Sequence, residues 1–408
     1  MANAGRWQEA ERLWREVRRI EPRHPQALFS LGFHALQRGE LADAEQLLRA
    51  ARAAAPRDMV VLMTLAAACT AREDAAGARE AIDAALTLDP YFVPGLLARA
   101  GWHERFGSPV VAATTYANAL KVAPPPAQWP ESLRPKLEYA RRVVDRHARA
   151  YGAHLAEAVA PLQQALPPQV ASRWREAVSI MAGLSKPFHS ECNQLHVPRL
   201  AEHQFFGREL FPWIPALEAK TDLIRTELLA ALERDRDRFS PYIAYNPGDP
   251  VNQWAELNHS QRWSTLALWR AGEPVAENIE RCPGTAQALA AVEMADIGGL
   301  CPNAMFSALA PKTHIPPHNG ETNARLVAHL PLIVPEKCEM RVGFERRPWK
   351  EGEVFVFDDS IEHEARNDSD KLRVVLIFDV WNPFLDPAER DLVGGLVNAV
   401  RDFYCAEG

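Results

Sequence analysis

His318, His329 and His363, together with Arg325 and Arg373, lie in short β-prone stretches of residues 307–381. Neutral imidazole suits a divalent first-row metal such as Fe(II), and ligands drawn from two strands leave several coordination positions open. His318 and His363 are the candidate metal ligands. The usual non-haem iron set adds an acid, commonly two residues after the first histidine. Here that residue is Gly320, and Glu321 stands one place too far along. The third ligand is absent by sequence.

The arginines raise a second question. Alternation along 325–332 turns Arg325, Val327 and His329 one way and Leu326, Ala328, Leu330 and Leu332 the other. Along 372–380, Arg373, Val375, Ile377 and Asp379 likewise oppose Leu372, Val374, Leu376 and Phe378. A buried arginine is costly unless an anion pairs with it. No obvious protein carboxylate is built in beside either one, and a bound dicarboxylate would answer both. Other polar residues read more plainly. His314 is a strand-edge histidine near the site, and His259 has no companion at metal spacing. Asp358 and Asp359 suit a turn cap or support for His363.

The elements that must position these groups are strands over 304–310, 325–333, 339–345, 353–358 and 372–380. Short strands with Gly/Pro turns point to a sandwich or jelly roll. Ahead of them the sequence predicts a helix over 216–234, a strand over 263–269 and a short helix over 285–294 capped by Thr285. A final helix over 388–404 presents Leu392, Leu396 and Val400 for packing on the outside of the sheet.

In order, His318-Asn319-Gly320, Thr322-Asn323, Arg325, His329-Leu330, Phe357-Asp358-Asp359-Ser360, His363-Glu364, Arg373 and Asp379-Val380-Trp381 resemble the aspartyl/asparaginyl β-hydroxylase family of 2-oxoglutarate oxygenases. In that family the first motif is His-x-Gly, with water in the vacant position. The resemblance implies a double-stranded β-helix of the cupin-like type, with Fe(II), 2-oxoglutarate and O2 as reaction partners. It implies that His318 and His363 bind iron and that Arg373 pairs with the distal carboxylate of 2-oxoglutarate. Ser307 would add a hydrogen bond there, and His329 would hold the end that chelates iron. Trp263 would line the cosubstrate pocket, although an aromatic in a strand is also an ordinary core residue. Arg325 would face an acidic side chain of the substrate. One departure is Val327, where members often carry a second arginine.

The first 125 residues have a period. Pro22, Pro56, Pro90 and Pro124 are spaced by 34, as are Ala10, Ala44, Ala78 and Ala112. Gly5, Gly39 and Gly107 keep the same register, with Glu73 in the glycine position once. This resembles the tetratricopeptide repeat, a pair of antiparallel helices per unit. Helix pairs are expected over 25–37 with 41–54, 58–71 with 75–88 and 92–105 with 109–122. A lone second helix over 7–20 precedes them, so the chain opens in mid-repeat. His24, His34 and His103 are surface or groove histidines. The arm either holds a polypeptide on its concave face or serves as a spacer. Prolines 124–126 end the repeats. A long helix capped by Ser132 and kinked or ended by Pro161 follows, then a second over 170–181.

The expected architecture is therefore α + β and multidomain: a tetratricopeptide arm over 1–125, a helical connector over 126–185 and a jelly-roll oxygenase domain over 186–408. The 408-residue chain carries a net charge of −7 without a dense basic block, which argues against nucleic acid as partner. The six cysteines are scattered, and no apolar run is long enough to span a bilayer. A cytoplasmic enzyme is expected. Its substrate reads first as Asp or Asn of a polypeptide, hydroxylated at Cβ, and next as a lipid-linked acyl chain. A non-catalytic adaptor with a metal-binding jelly roll is the remaining reading.

Overall fold

The structure, a computed structural model, describes residues 7–164 and 166–405. Gly5 lies outside the described residues. The chain divides into two compact units, Met1–Ser185 and Lys186–Gly408.

The first unit is helical. The repeat helices are α1 (Trp7–Ile20), α2 (Pro25–Gln37), α3 (Leu41–Ala54), α4 (Met59–Ala71), α5 (Ala75–Leu88), α6 (Val93–Phe106) and α7 (Pro109–Val122). Within pairs α2 packs on α3, α4 on α5 and α6 on α7; between pairs α3 meets α4 and α5 meets α6. The periodic alanines make this possible: Ala44, Ala78 and Ala112 are essentially fully buried, beside Leu48, Leu65 and Ile82. Two positions of the glycine register are left-handed, φ +79° at Gly39 and +64° at Glu73, whereas Gly107 has φ −126°. Glu73 tolerates that backbone at a cost of about 1 kcal/mol relative to glycine. Two of the arm's histidines are not surface groups in the simple sense. His34 is buried edge-on to Trp7, and His24 Nδ1 accepts the Ala27 N–H to cap α2.

The connector comprises α8 (Arg134–Gln163) and α9 (Pro168–Met181). Ser132 does not cap α8; Leu133 is the cap residue and makes no side-chain cap bond. Pro161 sits inside the last turn, which runs on to Gln163, because only the C-terminal turn feels its missing N–H. Pro168 opens α9, where a proline's absent donor costs nothing.

The second unit begins its helices with α10 (Ile214–Glu218) and α11 (Thr221–Arg234). The single helix expected here breaks because the Thr221 hydroxyl bonds the Glu218 carbonyl, while the Glu218 carboxylate accepts from Arg208 and the Val354 N–H. Then come β1 (Ser240–Pro241), β2 (Trp263–Arg270), β3 (Glu273–Pro274), α12 (Ala276–Arg281) and α13 (Pro283–Leu289). Thr285 lies inside α13 rather than capping it, with its hydroxyl on Glu227. The remaining strands are β4 (Ala304–Leu309), β5 (Thr313–His318), β6 (Arg325–Ile333), β7 (Cys338–Val342), β8 (Glu345–Pro348), β9 (Phe355–Phe357), β10 (His363–Asn367) and β11 (Arg373–Trp381). The strand expected over 339–345 ends early, since Gly343 at φ +55° turns the chain into the β7–β8 hairpin.

All pairings between the named strands are antiparallel. One sheet runs β1-β2-β4-β11-β6-β9 with β3 on the edge of β2; the other runs β5-β10-β7-β8. The larger sheet has two apolar faces. Leu266, Phe306, Leu330, Leu376 and Phe378 pack against Ile224 and Leu228 of α11. Trp263, Leu309, Val327 and Val375 pack against Ile315, Met340 and Ala365 of the smaller sheet. The alternation expected along β6 and β11 is present, and it is what turns polar side chains into the space between the sheets.

The last helix, α14 (Pro387–Cys405), corrects another expectation. Leu392, Leu396 and Val400 face outward at 67%, 54% and 57% exposure. The packed stripe is the adjacent one, Val393 and Val397, against Ile297 and Leu300.

Candidate metal and cosubstrate site

His318 ends β5 and His363 begins β10, and the two are directly opposed across the strand pair. Their ring centroids are 4.0 Å apart. Each Nδ1 faces a backbone carbonyl two residues back, Pro316 at 2.8 Å and Ile361 at 3.0 Å. A carbonyl only accepts, so each Nδ1 carries the hydrogen and each Nε2 keeps a free lone pair. Burial pushes His318 down to about 3 and His363 down to about 4, so both rings are neutral. Two neutral, fixed imidazoles with adjacent lone pairs fit a divalent cation.

The space beside His318 explains Gly320. A Cβ there would lie 2.1 Å from Oδ2 of Asp359. The Asp359 carboxylate of the facing loop fills the space that a side chain at position 320 would need. Asp359 Oδ1 is buried with no hydrogen-bond partner. Asp358, by contrast, caps its turn, accepting from the Ser360 N–H and hydroxyl.

A segment not foreseen as part of the site holds both loops. The Glu191 N–H bonds Ser360, Asn193 bonds Gly320 and Gln194 bonds Glu321, all backbone to backbone. Asn323 fastens the far end by bonding Val197 through both its side-chain oxygen and nitrogen.

A cavity of about 1070 Å³ opens between the sheets. Of the residues expected to form the site, His318, His363, Trp263, Ser307, His329 and Arg325 all line it. Trp263 is both wall and core: it donates its indole N–H to Ser307 at 3.1 Å and packs at a tilt against Tyr242, ring centroids 4.2 Å apart. Trp254 stands edge-on to His318 at 4.9 Å.

Arg373 does not line the cavity but lies behind it, 1% exposed. Its Nε and Nη1 have no partner, and its guanidinium sits 4.3 Å over the ring of Trp349. Burial, offset only by the nearby Cys338, lowers its pKa to about 10. Trp349 donates to Nδ1 of His329 at 3.1 Å, which leaves the His329 hydrogen on Nε2. Burial, then Arg373, holds His329 far below the usual imidazole range, so it is neutral.

Arg325 departs from the expectation that no protein acid accompanies it. It pairs with Asp359 at 2.7 Å, Glu321 at 3.1 Å and Asp379 at 3.5 Å. Asp359 and Asp379 reach it from other loops and strands, which local sequence does not reveal. His314 and His259 are engaged elsewhere, although His259 also lines the cavity. His314 bonds Glu364 at 2.6 Å, and His259 latches the carbonyl of Tyr245 at 2.7 Å. Among the described residues one three-membered cluster of metal-capable groups occurs, Glu45, Cys69 and Asp74 in the helical unit. Its acids are already engaged by Arg49, Arg72 and the N-terminus of α5.

Comparison with known proteins agrees with both parts of the chain. A family model described as Aspartyl/Asparaginyl beta-hydroxylase matches residues 218–383, and a Tetratricopeptide repeat model matches residues 2–68. Aspartyl/asparaginyl beta-hydroxylase of Mus musculus is 34% identical over 180 residues, which are 43% of this chain and 22% of that protein. Ornithine lipid ester-linked acyl 2-hydroxylase of Rhizobium tropici is 36% identical over 202 residues, 49% of this chain and 68% of that protein. Human aspartate beta-hydroxylase domain-containing protein 2 is 38% identical over 134 residues, 32% of this chain and 36% of that protein. The chain thus spans about a fifth of the mouse relative and two thirds of the bacterial one. Tetratricopeptide-like helices followed by a two-sheet unit with this matched segment make the chain a member of the aspartyl/asparaginyl β-hydroxylase family.

Proposed function

We propose that the chain is an Fe(II)- and 2-oxoglutarate-dependent dioxygenase that hydroxylates an aliphatic carbon. The observation that carries this reading is Arg373, a buried guanidinium with two unpartnered nitrogens near His329, in a unit that also holds a pair of metal-ready imidazoles. An isolated buried cation asks for an anion, and the distal carboxylate of 2-oxoglutarate is one of the right shape for its fork. In this reading His318 and His363 hold the iron through Nε2. Ser307 adds a hydroxyl near Arg373, and the Nε2–H of His329 donates to the chelating end of the cosubstrate. The two sheets are the halves of a double-stranded β-helix occupying 186–408, with the arm over 1–125 and the connector over 126–185.

When bound, iron with 2-oxoglutarate and O2 would supply the oxidising chemistry that puts one oxygen atom into a C–H bond, with succinate and CO2 as the other products. The chain's own contribution is placement. Neutral histidines bind without first losing a proton, Trp254 and Trp263 keep water off the site, and Asp359 fills the volume above Gly320.

The substrate reads first as an Asp or Asn side chain of a polypeptide held by the arm. An acyl chain is the second reading, supported by the acyl 2-hydroxylase relative and by the uncharged Val327 on the cavity wall. No helix among the described residues is long and apolar enough to cross a membrane. The free thiols at Cys69, Cys192, Cys282, Cys301 and Cys338 suit a reducing, cytoplasmic setting.

The test is succinate release from 2-oxoglutarate in the presence of Fe(II). Turnover in the wild type above a His318→Ala control supports the reading, and equal rates in the two remove it.

A further inference from the structure

One junction of the helical repeats breaks the register that the others keep. Counting back by 34 from Arg99 gives Leu65 and then Leu31, both buried. Counting back from His103 gives Cys69 and Ala35, also buried. The third repeat thus places an arginine and an imidazole, about one turn apart on α6, where its predecessors place apolar core. On the preceding helix the charges change places: Glu45 and Arg49 of α3 correspond to Arg79 and Asp83 of α5.

The two junctions are built differently as a result. Where α3 meets α4, Leu65 and Cys69 are fully buried, and Glu45 is held by Arg49 at 2.8 Å and Arg72 at 2.7 Å. Where α5 meets α6, a cavity of about 460 Å³ opens, with Ile82, Leu86 and Trp102 as apolar walls and Arg79, Arg99 and His103 as polar ones. Asp83 serves both arginines, bonding Nη2 of Arg99 at 2.8 Å and lying 3.5 Å from Nε of Arg79. The terminal nitrogens of Arg79 make no hydrogen bond among the described residues, and its guanidinium lies over Trp102 at 5.5 Å. Trp102 is itself fixed, donating its indole N–H to the Ala75 carbonyl of α5 at 2.7 Å. The walls are therefore set before anything binds, which lowers the entropic cost of binding.

Two guanidiniums against one carboxylate leave this cavity positive, on a chain whose net charge is −7. A carboxylate with apolar atoms behind it complements both halves, making charge-assisted bonds to the arginines and resting its methylenes on Ile82, Leu86 and Trp102. The Arg79 side chain is 66% exposed, so an occupant is covered from one side only. That suits a segment of chain running across the opening better than a free small anion.

We propose, on the reading that the arm holds a polypeptide, that the α5–α6 cavity docks an acidic side chain flanked by apolar ones in an extended segment of that polypeptide. Arg79 and Arg99 hold the carboxylate, and the site lies wholly within the helical unit.

The test uses the full chain, immobilised, and two pools of heptapeptides randomised except at the centre. One pool carries a central glutamate between two leucines; the other carries glutamine in its place. The glutamate pool should be retained about tenfold better, the contribution of one charge-assisted pair. Arg99→Leu restores the residue type of the earlier repeats, so it should keep the wild-type Tm or raise it while bringing the ratio close to one. Arg79→Gln, at an exposed position, should also lower the ratio and remains informative if Arg99→Leu fails to fold. Equal retention of the two pools by the wild type, or a preference that survives both substitutions, overturns this inference alone. Displacement of the glutamate pool by an equal concentration of free glutarate overturns it in favour of a small-anion pocket. Retention of neither pool overturns it together with the reading of the arm as a polypeptide holder, while leaving succinate release to judge the oxygenase.

Discussion

Trp349 donates its indole N–H to Nδ1 of His329 at 3.1 Å. That bond decides which ring nitrogen of His329 carries the hydrogen, and the same indole supports Arg373 from below at 4.3 Å. One aromatic side chain therefore sets the tautomer of His329 and supports Arg373, two groups proposed to hold 2-oxoglutarate.

Trp349→Phe keeps a ring under Arg373 but removes the donor to His329. One hydrogen bond contributes about 0.5–1.5 kcal/mol, so the KM for 2-oxoglutarate should rise about 2- to 10-fold. A steady-state series in 2-oxoglutarate reads this directly, and an unchanged KM would mean that the tautomer of His329 is set by something else.

Arg373→Met removes a buried charge that has no partner while preserving much of its volume. The KM for 2-oxoglutarate should rise by roughly 10- to 100-fold, the loss of a charge-assisted pair. The unliganded protein should be as stable as the wild type or more so, because an uncompensated ion has been taken out of the core. Thermal melts with and without N-oxalylglycine separate the effects: the baseline Tm holds, and the ligand-induced increase disappears. A lower baseline would show that Arg373 supports the fold itself.

Gly320→Asp writes the usual His-x-Asp motif into the sequence, yet it should weaken the site. Its Cβ would lie 2.1 Å from Oδ2 of Asp359, so the loop must shift. Overpacking of this sort costs about 1–3 kcal/mol. Mn(II) titration followed by electron paramagnetic resonance should show weaker binding than in the wild type. Tighter binding would show that the loop opens to admit a third ligand.

Asp358 gives a pH dependence of known sign. Burial raises its carboxyl from about 3.8 to about 7. Folding therefore keeps a proton that the unfolded chain releases, so its contribution is greatest below the unfolded pKa and is lost as pH rises towards 7. Asp358→Asn should flatten the fall in stability between these values, measured by urea unfolding at several pH values. An identical slope in both proteins would place the ionisation elsewhere.

Sequence reading succeeded where the governing physics was periodic. The 34-residue register placed the helices of the arm, since α3 and α5 begin where the glycine position ends. Alternation along β6 and β11 sorted Arg325 and His329 from Leu326 and Leu330 for the same reason. It failed where structure depends on distant partners. β5 carries Pro316 and Pro317 and so does not read as a strand, although its register with β10 is what brings the histidines together. Asp359 stands 34 residues from Arg325, and nothing in the local pattern announces their ion pair. In α14 the neighbouring apolar stripe packs, a one-residue difference that an amphipathic pattern with valines on both sides does not resolve.

The backbone bonds from Glu191, Asn193 and Gln194 to Ser360, Gly320 and Glu321 have a consequence for how this protein can be shortened. The stretch that matches the family starts at residue 218, but the loops behind both histidines are tied from 191–194. A fragment cut at the matched boundary would leave the Gly320 and Glu321 carbonyls without their backbone donors, while Ser360 would keep only the Asn319 side chain. The smallest autonomous unit therefore begins before the tie, some thirty residues ahead of the recognisable sequence.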